Sequence, residues 1–144
     1  MAVEDNKALV SRIADDIWNR GNLAAVAEVM APNATYYGPH MPNGKGDREA
    51  WGRAIGMYLG AFPDSHVTFE DLIASDDTIV GRWSATATHT GQLPGVAPTG
   101  KRITIGGITI YRIANDRIVE AWEQLDMLWM WQQLGVVAVP GHES

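Results

Sequence analysis

Hydrophobic positions along the chain follow two different rhythms, and the change comes near residue 64. Before it, apolar residues recur every three or four positions. In "DNKALVSRIADDIWNRGN" Leu9, Val10, Ile13 and Ile17 fall on one helical face, and Gly21 supplies a C-terminal stop. Asn22 then stands at the N-cap of a short second helix bearing Leu23, Val26 and Met30 on one side, with Pro32 beyond its end. "ATYYG" predicts a short strand rich in aromatics. A third helix is expected from about Asp47, with Trp51, Ile55, Leu59 and Phe62 as its stripe and Pro63 as its stop.

After residue 64 the rhythm is that of strands. "HVTFEDLIA", "TIVGRWSATATHT", "KRITIGGITIYRI" and "RIVEAWEQL" are β-branched or alternating, separated by "SDD" at 75–77, a loop at 91–100 and "AND" at 114–116. Such short connections predict an antiparallel meander. "MLWMWQQLG" predicts a closing helix that ends at Gly135 and is apolar nearly all round, so it should cover a cavity mouth or pack on a partner subunit. Helices first and strands after predict an α+β fold, with N-terminal helices packed on one face of a mostly antiparallel sheet. Gly81, Gly106 and Gly107 inside the strands predict strong curvature, and helices across the concave side would enclose a pocket. The 144 residues fit one domain over the whole chain, with no internal repeat or boundary.

Composition narrows the function classes. The net charge of -6 and the lack of a basic run argue against nucleic acid as a partner. With no cysteine, disulfides and thiolate metal sites are excluded. The acidic start "MAVEDNKALV" lacks the apolar core of a signal peptide, and no apolar run reaches the length of a membrane span, so a cytoplasmic, soluble product is expected. The four histidines show no paired spacing, and neither a metal site nor a flavin or nicotinamide fingerprint is expected. "GVAPTGKR", at 95–102, comes close to a phosphate-binding loop, but it leads into a strand, contains Pro98, and has Arg102 where a magnesium-binding hydroxyl is needed. It should join two long strands rather than hold a nucleotide.

The same loop contributes to a resemblance. From Thr88 to Gly135 the chain has a strand ending in His89, a Gly-x-x-Pro-Thr-Gly loop, a strand ending Arg-Ile, a short turn, an acidic strand and a closing Gln-Leu-Gly. In this it resembles the SnoaL-like polyketide cyclases, and "AFPD" at 61–64 extends the likeness into the N-terminal third. The resemblance implies a cone-shaped α+β barrel with a deep apolar cavity, assembled as a homodimer or homotetramer. It also implies that Asp126 is the general acid/base of an intramolecular aldol closure, a reaction needing no cofactor. The chain departs from the pattern at Thr109, where the cyclases have a histidine, and at Gly107, where they have a polar pocket residue.

The residues themselves leave several roles open. Alternation along "RIVEAWEQLD" places Ile118, Glu120, Trp122, Gln124 and Asp126 on one face, where a dry cavity would suit Asp126 to act as a base. Asp126 also directly precedes a helix and would serve as its N-cap. Thr109 and His89 are candidates to hydrogen-bond an oxyanion, although His89 is equally suited to bond a carbonyl of the 91–100 loop. Tyr36 and Tyr37 point to opposite faces of their strand, so only one can line the pocket, and the family resemblance implies Tyr36; His40 on its loop, Trp51, Trp122 and Gln124 are expected beside it. Ile55, Met57, Tyr58 and Phe62 read as core, and His66 and His142 as solvated. An epoxide hydrolase of this fold would want Arg-x-Asp, and Arg82 is followed two positions later by Ser84. The function expected is cyclisation of a small apolar, aromatic polyketide-like carbonyl compound. A polyketide-tailoring hydroxylase component, a hydrolase and a non-catalytic small-molecule binding module are the alternatives.

Overall fold

The computed structural model describes residues 3–137. Helix α1 (Val3–Arg12) buries Val10 and runs without interruption into a wider π-helical stretch, Ile13–Trp18, that buries Ile13, Ala14 and Ile17. This widening swings Trp18 toward the interior of the fold, and periodicity does not foresee it. Just beyond it, the Asn19 side chain donates to the Val67 carbonyl at 2.9 Å and accepts the Val67 N–H at 2.7 Å, which ties the helix to an edge strand.

The second helix is shorter than expected. A 3-10 turn at Leu23–Ala25 leads to α2 (Val26–Val29), and Met30 already begins β1 (Met30–Tyr37). Asn22 occupies the cap position without a side-chain cap bond. Pro32 is tolerated inside β1 because it is exposed and lies where the register with the neighbouring strand shifts. After β2 (Lys45–Gly46), Asp47 caps α3 (Arg48–Ala61) by accepting the Ala50 N–H at 2.8 Å. This helix ends at Phe62, immediately before Pro63.

Four long strands follow: β3 (His66–Ser75), β4 (Thr78–Thr88), β5 (Arg102–Ala114) and β6 (Arg117–Leu125). The curved sheet has the order β2-β1-β6-β5-β4-β3. All pairings are antiparallel except β1 with β6. It is an open sheet with β2 and β3 as edges, so it forms a cone without closing into a barrel. The segment at 95–102 leads into β5, as its sequence predicts.

α4 (Met127–Leu134) closes the chain and ends on Gly135 in the left-handed conformation. β6 stops opposite Gly107, which leaves Thr104 of β5 without a strand neighbour on that side. The Gln133 side chain fills the gap, accepting the Thr104 N–H and donating to its carbonyl, both at 2.9 Å. Two apolar clusters result. One joins α1, the π turn, α3 and β1, with Ile17, Met30, Ile55 and Ile118 fully buried, and the other joins Phe62, Leu93, Ile103 and α4. Among the described residues no helix is long and apolar enough to cross a membrane.

Candidate active site

A cavity of about 90 Å³ touches both clusters. Its wall is mainly aromatic, with Trp18, Tyr36, Trp51, Tyr58, Phe62 and Trp83 among the rings. Among the described residues, the one carboxylate in the wall is that of Glu123.

Glu123 reaches the cavity because β6 carries a bulge. Arg112 and Ile113 of β5 pair with Glu120 and Ile118 of β6, so Val119 is an extra residue on β6. Alternation restarts beyond it, and Ala121, Glu123 and Leu125 turn inward while Trp122 and Gln124 turn out. The expected inward face of Trp122, Gln124 and Asp126 is therefore corrected: these residues are exposed and line no part of the cavity. Trp122 instead stacks on Tyr37, with centroids 5.7 Å apart and planes 4° apart. Asp126 caps α4 by accepting the Trp129 N–H at 2.8 Å.

Other expected residues separate in the same way. Tyr36, His40 and Trp51 line the cavity, and Tyr36 stacks on Trp51 at 5.2 Å. Thr109 is fully buried but lies behind the wall, where its Oγ1 accepts the Trp83 indole N–H at 3.1 Å. His89, also fully buried, accepts the Thr99 N–H on Nδ1 at 3.2 Å and packs on Phe62 with centroids 5.2 Å apart. It anchors the 91–100 loop and does not line the cavity. His66 is exposed, and His142 lies outside the described residues. Tyr58, expected as core, is a wall residue.

Three polar groups of the cavity, Glu123, His40 and Tyr58, form one connected set. His40 Nε2 lies 3.2 Å from Glu123 Oε1, and its Nδ1 lies 3.1 Å from the Tyr58 hydroxyl. In the tautomer that serves both contacts, Tyr58 donates to Nδ1 and the Nε2–H faces Glu123. The two side chains retain only 17% and 11% of their exposure. His40 is close, but this buried oxygen has no hydrogen bond of good geometry. Burial, then the charge of Glu123, pushes the Tyr58 phenol up to about 12. The same two causes, burial first, hold the Tyr36 and Tyr111 phenols well above their usual range. All three rings consequently present neutral O–H donors around one carboxylate. Among the described residues no cluster of three or more His, Asp or Glu is placed to hold a metal ion.

The model of the SnoaL-like polyketide cyclase family matches residues 8–134. The chain belongs to that family. Solved structures agree with this membership. AclR of Streptomyces galilaeus, provisionally described as a hydroxylase, is 26% identical with a TM-score of 0.85, over 97% of this chain and 87% of its own. IdmH of Streptomyces antibioticus, provisionally described as a polyketide cyclase, is 29% identical with a TM-score of 0.78, over 91% of this chain and 99% of its own. A provisional polyketide cyclase from Acidithiobacillus ferrooxidans is likewise 29% identical, with a TM-score of 0.77 over 96% and 100% of the two chains. No curated protein matches the chain significantly. Within this SnoaL-like chain, Glu123 is the group that sequence periodicity misses. Its available signal was the small-acid-apolar series Ala121, Glu123, Leu125, which makes sense as an inward face only once the bulge is known.

Proposed function

We propose that this SnoaL-like protein is an acid/base cyclase in which Glu123 takes a proton from a carbon α to a carbonyl. The observation that carries the reading is the buried Glu123 Oε1, which lacks a hydrogen bond of good geometry inside an aromatic cavity and has His40 Nε2 at 3.2 Å. A carboxylate oxygen with a free lone pair, facing a space where an apolar carbonyl compound fits, is placed to accept a proton.

The cycle is redox-neutral and balances without a cofactor. Glu123 removes the α proton, and the resulting enolate carbon forms a bond to a second carbonyl carbon of the same molecule. The carbonyl π pair moves to oxygen, and the alkoxide takes the proton back from Glu123. Neutral phenols in the wall donate to the enolate oxygen while charge develops there, Tyr58 by turning its single O–H from His40 Nδ1 to the substrate. His40 holds the carboxylate in place and links it to Tyr58.

α-Proton exchange in deuterium oxide tests this, followed by proton NMR on a panel of aryl methyl ketones and single-ring polyketone esters. The parent should catalyse exchange on at least one member, and Glu123→Gln should lower that rate by roughly a hundredfold or more. Parent-like exchange in a folded Gln variant would sink the reading.

The likeness to AclR supports a second reading, a tailoring hydroxylase component holding an aromatic substrate in the same cavity. Product mass separates the two. Hydroxylation adds an oxygen atom and consumes dioxygen, whereas aldol closure alone leaves the mass of the substrate unchanged.

A further inference from the structure

Two rings lean the same way across the sheet, each onto a glycine of the next strand. Phe69 of β3 covers Gly81 of β4, where a Cβ would meet Phe69 Cε1 at 2.7 Å. Trp83 of β4 covers Gly107 of β5, where a Cβ would meet Trp83 Cζ2 at 2.5 Å and Cε2 at 2.8 Å. The indole therefore fills the hollow that the missing side chain leaves. Its Nε1 donates to Thr109 at 3.1 Å, and Thr109 is the cross-strand partner of Glu123. The ring is thus fixed twice, by shape over Gly107 and by a hydrogen bond one residue pair away from the carboxylate.

Trp83 is also unlike the other large rings. Trp51 and Phe62 are buried members of the apolar clusters, and Trp18 and Phe69 pack against one. Trp83 belongs to neither cluster and lines the free space itself. That space is about 90 Å³.

We propose that Trp83 determines specificity by size: seated over Gly107 and tethered to Thr109, its indole limits the part of the substrate that reaches Glu123 to a single ring or a short acyclic carbonyl segment. The proposal rests on the reading of this cavity as the substrate site, and it deepens that reading by naming the substrate class. Larger fused rings are excluded because the volume they need beside Glu123 is already occupied. A hydrogen-bonded indole does not swing aside without leaving its own N–H unpaired.

Equilibrium binding tests this independently of turnover. Acetophenone and 2-acetylnaphthalene are titrated by calorimetry into the parent, Trp83→Ala, Trp83→Phe and Thr109→Val, with circular dichroism to establish folding. The parent should bind acetophenone about tenfold or more tightly than the naphthyl ketone, since even one extra methylene in a hydrophobic pocket is worth roughly 10- to 200-fold. Trp83→Ala should abolish or reverse that preference. Trp83→Phe and Thr109→Val, which keep a ring or its shape, should move it the same way by a smaller factor and carry the test if the Ala variant does not fold. The titrations read binding without turnover, so a failed exchange assay and a failed size filter remain distinguishable. Equal binding of both ketones by the parent, binding of neither, or an unchanged preference across the folded Trp83 and Thr109 variants would overturn the proposal.

Discussion

Asp126 accepts the Trp129 backbone N–H at 2.8 Å on the surface, while Glu123, three residues earlier, faces the cavity. The two carboxylates of this short stretch therefore have separate duties, one at a helix end and one at the candidate site. Substitution can tell them apart. Asp126→Asn should leave stability and exchange activity close to parental, since Asn caps almost as well. Asp126→Ala should lower stability by about 1 kcal/mol in urea titration, with activity again retained. A large activity loss in a folded Asp126→Asn protein would return the acid/base role to Asp126.

Tyr58 links the aromatic wall to His40. Tyr58→Phe keeps the ring and removes the donor, so turnover should fall by roughly 10- to 100-fold or more with a smaller change in KM. The phenol also predicts an alkaline limit. Its folded pKa, about 12, lies above the unfolded value of 10.0, so its contribution is fully present below pH 10.0 and is lost as pH rises toward 12. Denaturation midpoints of parent and Tyr58→Phe measured across that window should converge as the parent loses its share.

Asp64 gives the opposite sign at low pH. It accepts the Thr88 N–H and the Thr88 hydroxyl, both at 2.7 Å, and these bonds hold its carboxyl below the ordinary 3.8. The stabilisation is present above 3.8 and is lost as pH falls through the depressed folded value. Asp64→Asn should therefore melt slightly below the parent at neutral pH, by a small amount because the group is exposed, and the two should converge as pH falls below 3.8. An acid limb identical to the parent's would show that the contact to Thr88 adds nothing.

The outer face of the sheet carries an apolar row that crosses five strands. Ile73 pairs with Val80, Val80 with Ile110, Ile110 with Trp122, and Trp122 with Tyr37. Ile73 is 62% exposed and Ile110 and Trp122 are each 39% exposed, and ion pairs of both signs, Arg82 with Asp71 and Arg112 with Glu120, flank the row. Apolar contact framed by charges of both signs suits a second copy of the same surface. We expect a homodimer or homotetramer by light scattering at micromolar concentration, and Trp122→Glu should shift it toward monomer. A parent that is already monomeric would remove this role from the row.

Much of the architecture could be read from local signals. The switch from helical to alternating rhythm, the stops at Gly21, Pro63 and Gly135, and the helix start near Asp47 each depend on a few neighbouring residues, and the structure has them close to where the sequence places them. His40 on a loop beside the pocket follows from equally local reasoning, whereas Tyr36 rather than Tyr37 rests on the family resemblance. The phase of β6 does not. A bulge is a property of two paired strands, and one extra residue at Val119 turns every later side chain to the opposite face. That single insertion sends Asp126, Trp122 and Gln124 out and brings Glu123 in. Gly107 and Thr109 look like missing polar groups in the sequence, and only packing reveals Trp83 lying over the one and bonded to the other. Rhythm along one strand determines which elements form, but register between strands decides which atoms meet, because the contacts that set it lie far apart in the chain.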